Sequence, residues 1–111
     1  MTELSESEFE KAADQELAKL LGALDASSLD LEVELSMGVL TIELSDKSKY
    51  VINSHRAAKQ IWLAAERSAW HFDLDPGASR WVAQKNGDEL WSTVEGVLSK
   101  KLGAPVSLRP G

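Results

Sequence analysis

Apolar residues recur along this chain at two different spacings, and each change of spacing marks a new element. Phe9, Ala13, Leu17, Leu20, Leu21 and Leu24 fall at helical intervals, with Glu10, Lys11 and Asp14 on the opposite side. Ser5 stands three residues before Glu8 and Ser7 three before Glu10, so either pair supplies a capping box that starts a helix. The pattern ends this helix near Leu24 or Asp25. From Leu29 the period falls to two: Leu29, Leu31, Val33 and Leu35 alternate with Asp30, Glu32 and Glu34, which predicts a strand whose outward positions are all anionic. Ser36-Met37-Gly38 turns the chain, and Val39 to Leu44 returns it as the second arm of a hairpin. A turn at Ser45 to Ser48 leads into Lys49–Asn53, and residues 54–59 connect that strand to Gln60–Ala64. Four strands in succession imply an antiparallel meander. Ala69–Asp73 reads as a fifth strand, with Trp70 and Phe72 on one face and His71 and Asp73 on the other, and Asp75-Pro76-Gly77 breaks it. Arg80–Gln84 reads as a short sixth strand, closed by Asn86-Gly87. Asp88 is placed to cap a second helix whose Leu90, Trp91, Val94, Val97, Leu98 and Leu102 form an apolar stripe ending at Gly103. An extended tail, Ala104 to Leu108, follows.

Helices at the two ends with only strands between them exclude a wound α/β pattern, in which helices alternate with parallel strands. The predicted class is α+β: a two-layer α/β sandwich with two terminal helices packed on one face of a mainly antiparallel sheet, as a single domain over 1–111. Leu17, Leu20, Ile52, Leu63, Phe72, Val94 and Leu98 should form its core. The other sheet face is free to meet water. If Tyr50, Ile52, Ile61 and Leu63 point inward, alternation puts Asn53, Gln60, Trp62 and His71 outside. Turning Trp62 inward would expel Ile61 and Leu63. A large aromatic on a polar sheet surface points to a partner, because tryptophan is enriched among the residues that dominate binding energy. Trp70, Trp81 and Trp91 read instead as packing residues.

Composition narrows the chemistry. A chain of 111 residues can bury one core without disulfides or a structural metal. There is no internal repeat and no low-complexity tract. Cysteine is absent, which removes thiolate nucleophiles and sulfur ligands. The net charge of −6 disfavours nucleic acid and favours basic partners or cationic metal. No apolar stretch approaches a membrane span, and the opening residues carry neither a signal-peptide run nor an arginine-rich transit pattern; a cytoplasmic bacterial location is the expectation. No nucleophile and base pair, glycine-rich phosphate loop or metal-ligand motif appears. Successive outward strand residues lie roughly 7 Å apart, so the acids of the first strand suit loose rather than enclosed metal binding. His55 and His71 lie outside the first hairpin, and each reads as a surface residue rather than a ligand.

Taken in order, Gly38-Val39-Leu40-Thr41-Ile42, Tyr50-Val51-Ile52-Asn53, Gln60-Ile61-Trp62-Leu63-Ala64, His71-Phe72-Asp73 and Trp81-Val82, set between two terminal helices, closely resemble the frataxin family and especially its bacterial branch. The resemblance covers nearly the whole chain. It implies a compact sandwich that attends iron–sulfur cluster assembly, binding cysteine desulfurase and the iron–sulfur scaffold protein and modulating cluster formation without being an enzyme. It also implies weak binding of ferrous or ferric iron along an acidic ridge, onto which Asp25, Asp30, Glu32 and Glu34 map. Leu21, Gly22, Ala23, Ala26, Ser27 and Ser28 stand where bacterial relatives tend to carry further acids. Asn53, Gln60 and Trp62 match the family's partner-contacting positions, and His71 falls where mitochondrial relatives often have a basic residue. A monomer is expected. The alternatives are an iron chaperone or weak ferroxidase, and an acidic interaction domain with another partner.

Overall fold

The computed structural model describes residues 5–27, 29–65, 68–75, 80–83 and 87–108. A long helix, α1 (Glu6–Ala26), is followed by β1 (Leu31–Ser36), β2 (Val39–Leu44), β3 (Lys49–His55), β4 (Gln60–Ala65), β5 (Ser68–Asp75) and β6 (Arg80–Val82), and the chain closes with α2 (Leu90–Leu102). The strands form one sheet in sequence order, and every ladder is antiparallel. Among the described residues, no helix is long and apolar enough to cross a membrane.

Of the two possible capping boxes, the chain uses Ser5 and Glu8: the Ser5 hydroxyl accepts from the Glu8 N–H and the Glu8 carboxylate accepts from the Ser5 N–H, both at 3.1 Å. Those bonds, the backbone one first, hold the Glu8 carboxyl below its ordinary value. The helix runs to Ala26, slightly past the predicted end, and Ser27 closes it by donating to the Leu24 carbonyl. At α2 the expected cap was one residue off. Glu89 is the N-cap, accepting from the backbone N–H groups of Trp91 and Ser92, because the chain is still extended there in a bridge to Val82. Asp88 instead accepts the indole N–H of Trp70 at 3.2 Å. Gly103 ends α2 at a φ of 70° in the left-handed region, where a side chain would be strained. The predicted Pro76-Gly77 break and Gln84 and Asn86 lie outside the described residues.

One apolar cluster joins the helices to a single sheet face. Phe9, Ala13, Leu17, Leu20 and Leu24 from α1 meet Leu40, Ile42, Tyr50, Ile52, Ile61, Leu63 and Phe72 from the sheet and Leu90, Val94 and Leu98 from α2. Trp81 is buried edge-on to Phe9, ring centroids 5.8 Å apart. Trp91 and Trp70 are half-buried beside the same cluster, with the Trp91 indole N–H donating to Glu16 on α1. All seven predicted core residues are inside. Because side chains alternate, burying these positions leaves the intervening residues of each strand on an outer face that no helix covers.

Candidate functional site

The strand registers define what that outer face carries. One row across it reads Ser36, Val39, Asn53, Trp62, His71 on β1 to β5. The next row toward the β3–β4 turn reads His55, Gln60, Asp73, Val82. On the other side of Trp62 lie Glu34, Thr41, Val51, Ala64 and Ala69, and beyond them Glu32, Glu43 and Lys49. The predicted partner residues and two of the predicted metal residues therefore share one continuous surface. The pattern of the sequence presented them as two separate candidates, an open sheet face and an acidic edge.

Trp62 is not a flat indole lying in water. His55 stacks on one side of it, centroids 3.9 Å apart and planes 12° from parallel, and His71 stacks on the other at 4.2 Å and 17°. Ring stacks of this kind hold aromatic side chains in place. His55 is itself fixed, because its Nδ1 accepts the backbone N–H of Ala58 at 3.3 Å. The indole N–H donates to the Gln60 side-chain oxygen at 2.8 Å, and the Gln60 amide donates to Asp73 Oδ1 at 3.2 Å. Three parallel rings thus stand on the sheet with their edges outward, locked from one side by a chain of hydrogen bonds. Asn53 sits next to them, half-buried between Val39 and Trp62 in the register. Both π-faces of Trp62 are occupied, so a partner meets ring edges and the remaining polar atoms of His71, Asp73 and Asn53.

The acids are arranged more loosely. Glu32 and Glu34 are exposed on β1, Asp30 is exposed just before it, and Asp25 is exposed in the last turn of α1. Glu43, which the strand pattern did not single out, lies directly opposite Glu32 in the β1–β2 register. Like charges facing across a ladder are unfavourable, and Lys49 on the far side of Glu43 relieves part of that. Asp30, Glu32, Glu43 and Lys47 line a shallow cleft of about 80 Å³ at this end of the hairpin. Among the described residues, no three His, Cys, Asp or Glu side chains come together closely enough to hold a metal ion. Hard carboxylate oxygens fit iron chemically, but as scattered single ligands completed by water rather than as a closed set.

A Frataxin-like domain profile matches residues 2–104. The chain belongs to the frataxin family. It is 40% identical over 107 residues to the iron-sulfur cluster assembly protein CyaY of Dechloromonas aromatica, covering 96% of this chain and 100% of that one. Its identity to the protein of the same name from Cupriavidus metallidurans is 35% over 113 residues, covering 98% and 100%. Among solved structures, the frataxin of Psychromonas ingrahamii superposes with a TM-score of 0.86 at 26% identity, over 96% of this chain and 99% of that chain. Trimeric frataxin from the yeast Saccharomyces cerevisiae, complexed with ferrous iron, superposes with a TM-score of 0.70 at 36% identity, over 83% and 86%. The two-helix, six-stranded antiparallel architecture is thus the frataxin fold. The expectation of a monomer does not fit the yeast frataxin, which is a trimer.

Besides Glu43, His55 is a residue of this surface that the strand pattern does not offer. It was placed in a connection, whereas β3 runs two residues further than the alternation suggested and carries it onto the outer face. The signal was present in the parity of Asn53 and His55, both odd positions of one strand.

Proposed function

We propose that this frataxin-family chain is a non-catalytic accessory protein of iron–sulfur cluster assembly, acting through its outer sheet face. That face engages cysteine desulfurase and the scaffold protein through Asn53, Gln60, Trp62 and His71. Its acidic end, Asp30, Glu32 and Glu34, together with Asp25 in the last turn of α1, holds iron weakly and at several places. The observation that carries this reading is the His55–Trp62–His71 stack: three ordered rings, bonded through Gln60 to Asp73, on a surface that the fold leaves uncovered.

Such a surface loses little entropy on binding, because its side chains are already fixed before a partner arrives. The chain's negative charge lies partly on the same face, where it steers a basic partner into register while the ring edges supply the short-range contact. The naming of close bacterial relatives as iron-sulfur cluster assembly proteins supports the pathway, and the yeast relative complexed with ferrous iron supports the metal. That second observation also favours iron delivery as a parallel role. Co-purification with cysteine desulfurase and scaffold, followed by a desulfurase activity assay with and without this protein and with and without ferrous iron, tests the proposal. A change in desulfurase rate that needs this protein supports it, and failure to associate under low salt removes it.

A further inference from the structure

Only Met37 and Val39 are exposed large hydrophobics among the described residues, Met37 at 98% and Val39 at 38%. They flank Gly38 at one end of the outer face. The β1–β2 turn is a two-residue hairpin turn closed by the Ser36–Val39 pair, and both of its central residues have positive φ, 51° at Met37 and 78° at Gly38. Turns of this kind take asparagine, aspartate or glycine at the first position, since other side chains are strained there. Methionine gives the turn nothing in return, because its side chain packs on nothing. Lys47 and Lys59, the other non-glycine residues at positive φ among those described, are charged turn residues, for which exposure is ordinary. The tip is nevertheless well anchored. Ser54 on β3 donates its N–H to the Gly38 carbonyl at 2.9 Å, and a Cβ on Gly38 would sit 2.7 Å from the Ser54 hydroxyl and strain the left-handed backbone, so glycine suits this position. A strained, fully exposed apolar side chain on a rigid turn is a feature that the fold itself does not use.

Its neighbours indicate what uses it. Val39 is in the same row as Asn53 and Trp62, and Ser54, which holds the turn, precedes His55 of the ring stack. On the other side, the outer face continues through Glu34 to Glu32 and Glu43. We infer that Met37 is an anchor of the partner surface, inserting with Val39 into an apolar socket on a partner protein whose rim is basic and lies over Glu32, Glu34 and Glu43. The inference rests on the assignment of the outer face as the partner surface. Charge complementarity selects a basic protein over a second copy of this acidic chain.

The test sets stability against binding. Met37→Asn relieves the turn and should raise Tm by about 3 °C while weakening association with the purified desulfurase–scaffold complex about tenfold. Met37→Leu keeps both the strain and the apolar tip and should bind as the parent does. Trp62→Arg is measured alongside. If Met37→Asn binds as tightly as the parent while Trp62→Arg does not bind, the anchor is refuted and the face stands. If neither variant alters association, both the anchor and the face are refuted. If sedimentation shows that Met37→Asn changes self-association and leaves the complex intact, the socket belongs to a second copy and the inference is overturned.

Discussion

Replacing Trp62 with arginine, next to Leu63→Ala as its control, exploits two adjacent residues on opposite sides of β4. Trp62 contributes two ring stacks, each worth about 0.5–1.5 kcal/mol beyond area burial, and one hydrogen bond worth about 1 kcal/mol. A guanidinium recovers part of this by stacking between the same imidazoles, which leaves a net loss of about 1–2 kcal/mol. For a domain of this size that lowers Tm by about 4–8 °C. Leu63 is 1% exposed, and its truncation leaves a cavity, so Leu63→Ala should cost about 2–5 kcal/mol. The smaller side chain thus carries the larger stability effect. Binding should follow the reverse order, with Trp62→Arg weakening association by about 2 kcal/mol or more, roughly thirtyfold, and Leu63→Ala binding normally at temperatures where it is folded. Urea titrations followed by circular dichroism give the stabilities, and calorimetry with the desulfurase–scaffold complex gives the affinities. Trp62→Arg proving more destabilising than Leu63→Ala would place the indole in the core and refute the reasoning, as would unaltered binding by Trp62→Arg.

Three further outcomes follow from particular contacts. Changing Asp30, Glu32 and Glu34 together to asparagine should abolish site-specific broadening of the NMR spectrum by iron, and broadening centred on His55 and His71 in the parent would contradict the acidic-edge assignment. The same triple variant should associate more slowly with the partner complex at low salt and like the parent at high salt, because exposed charges act over about a Debye length, whereas the contact at Trp62 should persist in both. The Lys101 ammonium, 2.8 Å away, and the Ser48 hydroxyl and N–H hold the Asp46 carboxyl well below the ordinary carboxylate range. A carboxyl lowered in the folded state stabilises above its unfolded value, and that contribution is lost as pH falls toward the folded one. Asp46→Asn should therefore narrow the gap in urea midpoint between pH 7 and pH 3, and an unchanged gap would show that the pair contributes nothing.

The fold was legible because each element states its own period. Alternation from Leu29 to Leu35 and from Gln60 to Ala64 leaves one assignment of inside and outside, and it places Trp62 outward without any knowledge of its neighbours. What surrounds Trp62 was not legible. His55 and His71 are sixteen positions apart in sequence, and only the registers of β3 with β4 and of β4 with β5 bring them to the two sides of one indole. Glu43 was hidden for the same reason, since its place opposite Glu32 depends on the length of the Met37-Gly38 turn. Local pattern points to Asp88 as the cap of α2 because aspartate is a preferred N-cap type and glutamate is not; the bridge from Glu89 to Val82 and the bond from Trp70 to Asp88 override that preference. Local pattern decided faces, whereas pairing decided neighbours.

On this reading the outer sheet face is where the frataxin-family chain meets the cluster-assembly machinery. The most direct measurement is loss of backbone amide NMR signals on adding the desulfurase–scaffold complex to isotope-labelled protein at physiological salt. Losses are expected at Asn53, His55, Gln60, Trp62, His71 and Asp73, extending through Val39 to Glu34. Losses confined to the solvent sides of α1 and α2, such as Lys11, Asp14 and Lys100, with the β3 to β5 signals unchanged, would contradict it.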